Sequence, residues 1–529
     1  MAFETFRDFI DYLDKHGELA RVRARVDPRL EIAEIADRAV KSPAPHPHRE
    51  RDRHPAARLG GRALLFENVQ GSDMPVAINT FGSYWRMNAA VGNDPDTQSL
   101  DDLAAKVQRL IKPEIPAGII EKLKRVPELA QLARIGPKKV RSGICQQVVH
   151  EGDAADLGRL PIIQCWPLDG DLGSGQVFDD AAAKAAVAAG RAGTGRYITL
   201  GGIHTRNPET GDRNIGMYRV QVFGPRLAAM HWHLHHDGAR HHRLYKKRGE
   251  KMPAAVVLGG ESVLPYAATA PLPPGIEEHL FAGYLNGGGI ELCPCKTIDL
   301  EVPANAEIVI EGYVHPTETL YEGPFGDHTG FYSLADHYHA FHVTAITHRK
   351  DPIYPTTIVG RPPMEDYFMG KATERIFLPL LKTIVPDIVD YSLPMAGCFH
   401  NCVYVKIKKE YAYQARRVMH AIWGAGQMAF TKFIIVLDED VDVHDEQAVL
   451  FHLFANCDPA RDTEVVRGPV DILDHASPYL GIGSKIGFDA TRKLPGEATQ
   501  EAVRQWPGQI EMDAATKAMV DRRWKEYGV

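Results

Sequence analysis

The sequence predicts an α+β protein in which a strand-rich middle lies between two regions of alternating helix and strand. Three observations carry this. Between about residues 140 and 345 the chain runs through short apolar or alternating segments: GICQQVVH, RYITLGGIHT, MYRVQVFG, AAMHWHLHH, AAVVLGG and AEIVIEGYV. Gly and Pro separate them, the pattern of a β-barrel or sandwich core. On either side the apolar period lengthens toward that of helices. A length of 529 residues, at ~150 residues per domain, predicts two to four domains. The expected boundaries are 1–138 (an α/β region), 139–348 (the strand-rich domain) and 349–529 (an α/β domain with a terminal helix).

The elements follow in order. Phe6, Ile10, Tyr12 and Leu13 form a helical stripe, residues 20–26 alternate, and 31–40 return to helical spacing. Residues 41–60, rich in Pro and His, read as a surface loop. A strand is expected at 63–66, and helices from 99 to 132 punctuated by Pro113, Pro116 and Pro127. The Ala-rich stretch 181–190 predicts a helix inserted among the strands. Beyond 350, helix 374–384, strand 402–407, helix 412–423 and strand 433–437 restore the α/β pattern. No internal repeat is visible.

Composition narrows the function classes. Hydrophobic residues make up 44% and charged residues 24%, with 61 Lys+Arg against 68 Asp+Glu, a net charge of −7. No basic surplus points to nucleic acid, and no stretch reaches the ~18 apolar residues of a membrane span. The seven cysteines (Cys145, Cys165, Cys293, Cys295, Cys398, Cys402 and Cys457) are sparse and odd in number. They lack metal or redox spacing and read as structural, reduced thiols of a cytoplasmic protein. The N-terminus reads as an amphipathic helix, not a signal peptide. The 24 histidines are the outlier.

Three constellations could carry chemistry. HWHLHHDGARHH holds His231, His233, His235, His236, His241 and His242. On a strand, His231, His233 and His235 would share a face and could bind a metal; a polar strand edge or a loop is the bland alternative. In EGPFGDHTG, Glu322 and Asp327 bracket a glycine-containing turn that could aim two carboxylates into one cavity, one as base and one as proton donor; an acidic hairpin is the bland alternative. In RNIGMYR, Asn214 offers an oxygen to a hard cation and Arg219 a fork for a carboxylate or phosphate. Five residues apart, they face opposite sides of a regular strand and can share a site only if the strand begins or bulges between them. Lys432 precedes an apolar strand and could meet a phosphate or simply be solvated. The glycine-rich GIGSKIG at 481–487 could cradle a phosphate through backbone N–H groups but lacks phosphate-loop spacing, and a plain turn is the alternative.

Taken together and in this order, LEIAEIADRAV, PIIQCWP, NIGMYRVQ, LPPGIEEHLFAGYL, DLEVPANAEIVIEGYV, EGPFGDHTGFY, GRPPMED, FTKFIIVLDEDVD and GSKIGFDAT resemble the UbiD family of reversible decarboxylases, from about residue 4 to about 497. The likeness is closest to its 4-hydroxy-3-polyprenylbenzoate branch. It implies a central split β-barrel of the flavin-reductase type and a prenylated FMN cofactor, held with a divalent metal, usually manganese, and often potassium. Residue by residue, it implies Arg219, Glu322 and Asp327 as the catalytic trio, with Asp327 the proton donor and the Arg219–Glu322 pair orienting substrate. Asn214, His235 and Glu278 match the metal ligands. Cofactor contacts fall on Met217, Tyr218, Arg219, His231, Trp232, His233, His236 and Asp237, and the phosphate-contacting lysine matches Lys432. Such a cofactor supplies an electron sink that side chains cannot.

The branch usually presents Arg-Trp-Leu and Arg-Gly where this chain has His231-Trp232-His233 and His236-Asp237, and this chain has an insertion at 170–196. The histidine row thus reads as lining a flavin and metal site, with most other histidines on the surface. The expected reaction is decarboxylation of an aromatic, hydroxylated acid. A polyprenyl-hydroxybenzoate of quinone biosynthesis comes first; a hydroxynaphthoate of a menaquinone route or a catabolic aryl acid are the alternatives within the class. A metallohydrolase using the histidine row and a non-catalytic flavin-binding protein are the alternatives outside it. The expected partners are the small aromatic acid, a flavin prenyltransferase that supplies the cofactor, and further copies of the chain in a dimer or hexamer. A lipid substrate would add peripheral membrane contact.

Overall fold

The structure, a computed structural model, describes residues 2–46, 55–111, 134–233, 236–272, 275–497 and 506–528. The first region folds as its periodicity predicts. Helix Phe6–Lys15 buries Phe6, Phe9, Ile10 and Leu13, and the Thr5 side chain caps it by accepting the Asp8 N–H. It packs with helix Glu31–Val40 around a sheet of Leu19–Val22, Ala63–Phe66, Val76–Ile78 and, from far along the chain, Tyr354–Pro355. The strand expected at 20–26 is therefore shorter and one residue earlier. Of the helical stretch expected at 99–132, Leu100–Ile111 is helical and the rest lies outside the described residues. The loop at 41–60 is described only in part, and Pro55–Arg58 forms a 3-10 turn.

The middle is a nine-stranded, curled half-barrel sheet. Its long central pair, Ala306–Glu322 and Asp336–His348, runs antiparallel with register shifts at Glu311/Gly312 and Val314/Thr319. Such irregularities bend strands and increase their twist. Met252–Gly259, Gly202–Arg206 and Arg213–Met217 continue the sheet on one side, and Leu227–Met230, Val220–Gly224 and Tyr197–Ile198 on the other. The Ala-rich insertion forms helix Asp180–Ala188, capped by Asp179.

Beyond the barrel, helix Glu365–Ile384 leads into a five-stranded sheet ordered Ile388–Ser392, Cys402–Ile407, Phe433–Asp438, Ile482–Asp489, Thr463–Pro469. One apolar core runs from Phe6 through the barrel to Ile376, and a separate one starts at Leu381 and centres on Val403, Val405, Ile434 and Val436. Helices Gln414–Trp423 and Glu446–Asn456 flank the sheet, and Ala514–Arg523 is the terminal helix.

Three expectations need correction. GIGSKIG is a strand: Gly483, Lys485, Gly487 and Asp489 alternate inward as Ile482–Asp489 pairs with two neighbours. Of the two alternatives for the histidine row, the strand face does not form and the loop does, because the strand ends at Met230 and His231 begins a loop. Histidines are not mostly superficial either. Among the described residues His204, His231, His241, His242, His279, His348 and His444 are buried, and only His337, His420 and His475 are exposed.

Candidate active site

Arg219 reaches the site because its strand does not continue. Arg213–Met217 pairs with Gly202–Arg206, the chain breaks at Tyr218 and Arg219, and Val220–Gly224 pairs instead with Leu227–Met230 across the barrel. This is the break that Asn214 and Arg219 require to serve one region.

Glu322 ends the long strand Ala306–Glu322, and Asp327 follows a short hairpin of Phe325–Gly326 with Tyr332–Ser333. The glycines between them are there for close approach. A Cβ on Gly323 would stand 2.5 Å from the Gly170 backbone, and one on Gly326 2.1 Å from the Trp166 ring.

The structure brings the side chains of Arg219, Glu322 and Asp327 together. Arg219 Nε and Nη2 donate to Glu322 at 3.2 and 2.9 Å, and Nη1 pairs with Asp327. Nη2 also donates to Ser333 Oγ at 2.9 Å, and Phe325 lies 4.8 Å from the guanidinium carbon. Glu322 is wholly buried and Asp327 nearly so. Burial opposes the Glu322 charge, but Arg219 and His231 outweigh it and hold its carboxyl below the usual range. For Asp327 the hydrogen bond from His328 and the charge of Arg219 likewise overcome burial and hold the carboxyl well below it. The same partnership pushes His328 up to about 9 against its own burial.

His231 adds a second layer. Its Nδ1 lies 2.7 Å from Glu322 Oε2 and its Nε2 2.7 Å from His233 Nε2. An ionised carboxylate only accepts, so His231 donates through Nδ1 and accepts, through Nε2, a proton from His233. Burial holds both imidazoles below their ordinary pKa. Tyr338 stacks on His231 at 4.1 Å, His236 stacks on His233 at 5.1 Å and lies 4.8 Å from Tyr218, and Trp232 is buried behind Tyr218. Planar rings thus wall one side of the site.

Asp237 is exposed at the start of helix Asp237–Arg248 and pairs with Arg240. Met217 is half-buried at its strand end. Lys432 precedes strand Phe433–Asp438 and pairs with Asp474 at 2.9 Å.

Of the matched metal ligands, His235 lies outside the described residues. Glu278 opens helix Glu278–Asn286, and its Oε2 accepts the Ile215 N–H at 2.9 Å, next to Asn214. Burial pushes the Glu278 carboxyl up to about 7, with Asp237 and Glu277 adding to the shift. Asn214 is buried with its amide nitrogen unpartnered, on a small cavity shared with His204 and His279. The nitrogen and oxygen of such an amide are interchangeable by a flip. A half-buried carboxylate with acidic neighbours beside an unsatisfied amide is a donor set that suits a hard cation. Among the described residues, no three His, Cys, Asp or Glu side chains are grouped to hold a metal.

Several residues of the site escaped the sequence reading. Asp169 accepts the backbone N–H groups of Gly326, Trp166 and Cys165, fixing the hairpin from below. Ser333 and His328 touch the trio directly and Tyr338 stacks on His231 beside it, and His328 could have been found as the neighbour of Asp327 in EGPFGDHTG. Phe399, His400 and Asp471 come from the last third of the chain, and no linear signal marks them.

Sequence profiles for three domains of 3-octaprenyl-4-hydroxybenzoate carboxy-lyase, UbiD, match this chain: the N-terminal domain over 10–107, the Rift-related domain over 138–362 and the C-terminal domain over 367–490. An uncharacterized protein of Aquifex aeolicus is 45% identical over 528 residues, covering 100% of this chain and 99% of its own. One of Archaeoglobus fulgidus is 43% identical over 528 residues, covering 99% of each. Among solved structures, the UbiD-class enzyme HmfF of Pelotomaculum thermopropionicum, in complex with FMN, superposes with a TM-score of 0.72 at 25% identity, covering 95% and 97% of the two chains. The vanillic acid decarboxylase of Sedimentibacter hydroxybenzoicus has the same fold, with a TM-score of 0.79 at 23% identity over 100% and 99%.

Proposed function

The chain belongs to the UbiD family of carboxy-lyases, and from that premise we propose that it decarboxylates, reversibly, an aromatic hydroxylated acid with prenylated FMN as cofactor. The observation that carries this reading is the buried trio, in which one guanidinium spans Glu322 and Asp327. When bound, the prenylated flavin supplies the electron sink for the pair left behind by CO2. The HmfF structures contain FMN and, in an evolved dimeric form, prFMN.

The chain's own residues supply position and protons. Arg219 is the cation beside the substrate carboxylate, and its fork fixes where the two acids stand. Glu322, tied by two nitrogens of Arg219 and by His231, is a rigid orienting group. Asp327, at the mouth of the hairpin, delivers the proton that replaces CO2. The ring wall of Tyr218, His231, Trp232, His233 and His236, with Met217 and Asp237 beside it, faces the cofactor. Asn214, Glu278 and His235 would hold a divalent cation such as Mn2+, with K+ nearby, and Lys432 would exchange Asp474 for the flavin phosphate.

A polyprenyl-hydroxybenzoate of quinone biosynthesis is the first substrate proposed, ahead of a hydroxynaphthoate or a catabolic aryl acid. A flavin prenyltransferase supplies the cofactor, and the working unit is a homo-oligomer. Among the described residues no helix is long and apolar enough to cross a membrane.

Co-expression with a flavin prenyltransferase tests the reading, assaying CO2 release and solvent deuterium uptake on 4-hydroxy-3-prenylbenzoate, a hydroxynaphthoate and vanillate. Turnover should require the modified flavin, and Asp327→Asn should lower it by about 10²–10⁴-fold. Turnover without that flavin, or an Asp327→Asn variant at the wild-type rate, overturns the proposal.

A further inference from the structure

Asp327 is held as a carboxylate, so a proton it delivers has to come from somewhere else. Besides Arg219, its partner is His328, whose Nδ1 lies 3.0 Å from Asp327 Oδ1 and whose backbone N–H donates to the same oxygen at 2.9 Å. The other side of the His328 ring belongs to the last third of the chain. Phe399 stacks on it at 5.2 Å and 19°, and His400 lies 4.8 Å away. The loop presenting them is strained, with Cys398 and Phe399 at φ 45° and 47°, conformations that persist only where the surroundings impose them.

His400 is itself oriented. Its Nδ1 donates to the Cys398 carbonyl at 2.6 Å, which leaves Nε2, 3.5 Å from Asp471 Oδ2, as the open ring position. His328 Nε2 is buried without a hydrogen-bond partner.

We propose that His328, backed by His400 and Asp471, is the positioning residue that supplies Asp327 with its proton, a relay running into the site from the C-terminal region. The proposal rests on Asp327 being the donor. The Nδ1 proton of the His328 imidazolium first moves to the Asp327 carboxylate, leaving a neutral imidazole protonated at Nε2. As the bond from ring carbon to carboxylate breaks and CO2 leaves, the electron pair on that carbon takes this proton from Asp327, which returns to the carboxylate. The imidazole exchanges to its Nδ1–H tautomer, and a proton from solvent, passed through His400 to the freed Nε2 directly or over one water, restores the imidazolium. Per turnover one solvent proton enters and one CO2 leaves.

The charged groups facing His328 agree with this traffic. Asp327 is on its own loop, Arg219 lies beyond it, Asp366 belongs to helix Glu365–Ile384, and Asp471 and His400 face it from the C-terminal region. The acids outnumber the cations and favour the imidazolium.

The test uses holoenzyme with His328→Asn, which keeps a donor for Asp327 but carries no titratable proton, and His400→Gln one step further out. On 4-hydroxy-3-prenylbenzoate, or the best acid of the panel above, His328→Asn should lower kcat about 100-fold with KM within about twofold. Imidazole in the buffer should restore part of the rate. His400→Gln should lower kcat less, and most at high pH. In the flavin-free protein, 13C-histidine NMR should show the His328 imidazolium persisting above pH 8, and losing that persistence in Asp327→Asn. Wild-type kcat and pH profile in His328→Asn, beside an inactive Asp327→Asn, overturn the relay and leave the functional reading standing. If Asp327→Asn is itself fully active, that reading falls first. Should His328→Asn fail to fold or to load flavin, the NMR titration and His400→Gln decide, and an ordinary imidazole titration with an unchanged His400→Gln profile overturns the relay.

Discussion

Arg219 and Arg375 keep similar company. Each guanidinium spans two carboxylates, Glu322 and Asp327 for the first, Glu374 and Asp390 for the second. Histidines stand against the carboxylates of both clusters, His231 at 2.7 Å from Glu322 and His328 at 3.0 Å from Asp327 in the first, His444 at 3.1 Å from Asp390 in the second. Their settings differ. Glu374 and Arg375 lie within helix Glu365–Ile384 and Asp390 on the strand after it. Lys371 binds Glu374 at 2.7 Å and Ser392 at 3.0 Å, and Arg375 reaches the Tyr391 carbonyl. That cluster closes on itself inside regular structure. The Arg219 cluster stands where regular structure stops: at the break after Met217, past the strand end at Met230, and on a hairpin whose glycines admit close neighbours. Buried charge alone does not mark a functional site; buried charge assembled at strand ends, beside loops able to admit a ligand, does.

That contrast can be broken by substitution. Glu374→Gln strands Lys371 and Arg375 without their shared counter-charge, and losing one partner of a buried pair costs about 3–5 kcal/mol. A large fall in the urea unfolding midpoint is expected, with turnover per folded holoenzyme unchanged. Arg219→Lys should show the reverse. A lysine keeps the charge but cannot span both acids, so kcat/KM should drop about 100-fold, some 2.7 kcal/mol of transition-state stabilisation, while the unfolding midpoint moves much less. Equal stability losses in the two variants would erase the distinction.

How much of this was legible in the sequence follows from where each contact is encoded. Helix Phe6–Lys15, the inserted helix Asp180–Ala188 and the strands at 63–66 and 402–407 were readable because their pattern is local and periodic. So was the trio, because Arg219, Glu322 and Asp327 sit in two short segments that the resemblance aligned. The break at Tyr218 and Arg219 was stated only as a condition, since nothing local says that Arg213–Met217 and Val220–Gly224 take places on different sides of the barrel. The histidine row misled because alternate histidines imitate a strand face, whereas pairing stops at Met230. GIGSKIG misled in the opposite sense, its glycines suggesting a turn where the surrounding sheet imposes a strand. Phe399, His400 and Asp471 reach His328 only through the docking of the C-terminal region, which no spacing records.

Asp169 offers the finest discrimination between a group that carries the site and one that merely fills it. It belongs to neither cluster, yet its Oδ1 accepts the Gly326 N–H at 2.8 Å, and so sets the hairpin that carries Asp327. Burial dominates the three backbone hydrogen bonds it accepts and pushes its carboxyl up to about 7. A carboxyl whose pKa is raised on folding takes up a proton as the chain folds. Its contribution to stability is full below its unfolded value near 3.8 and is lost as pH rises through about 7. Asp169→Asn removes that titration while keeping one acceptor oxygen. The variant should therefore gain on the wild type between pH 4.5 and pH 8, by about 3 kcal/mol at most, as a converging or crossing pair of thermal unfolding midpoints. If Asp169 also positions the hairpin, kcat should fall several-fold at every pH even where the two proteins are equally stable. Parallel stability curves would mean that Asp169 is ionised throughout this range, and unchanged kcat would reduce it to packing beneath the Arg219 cluster.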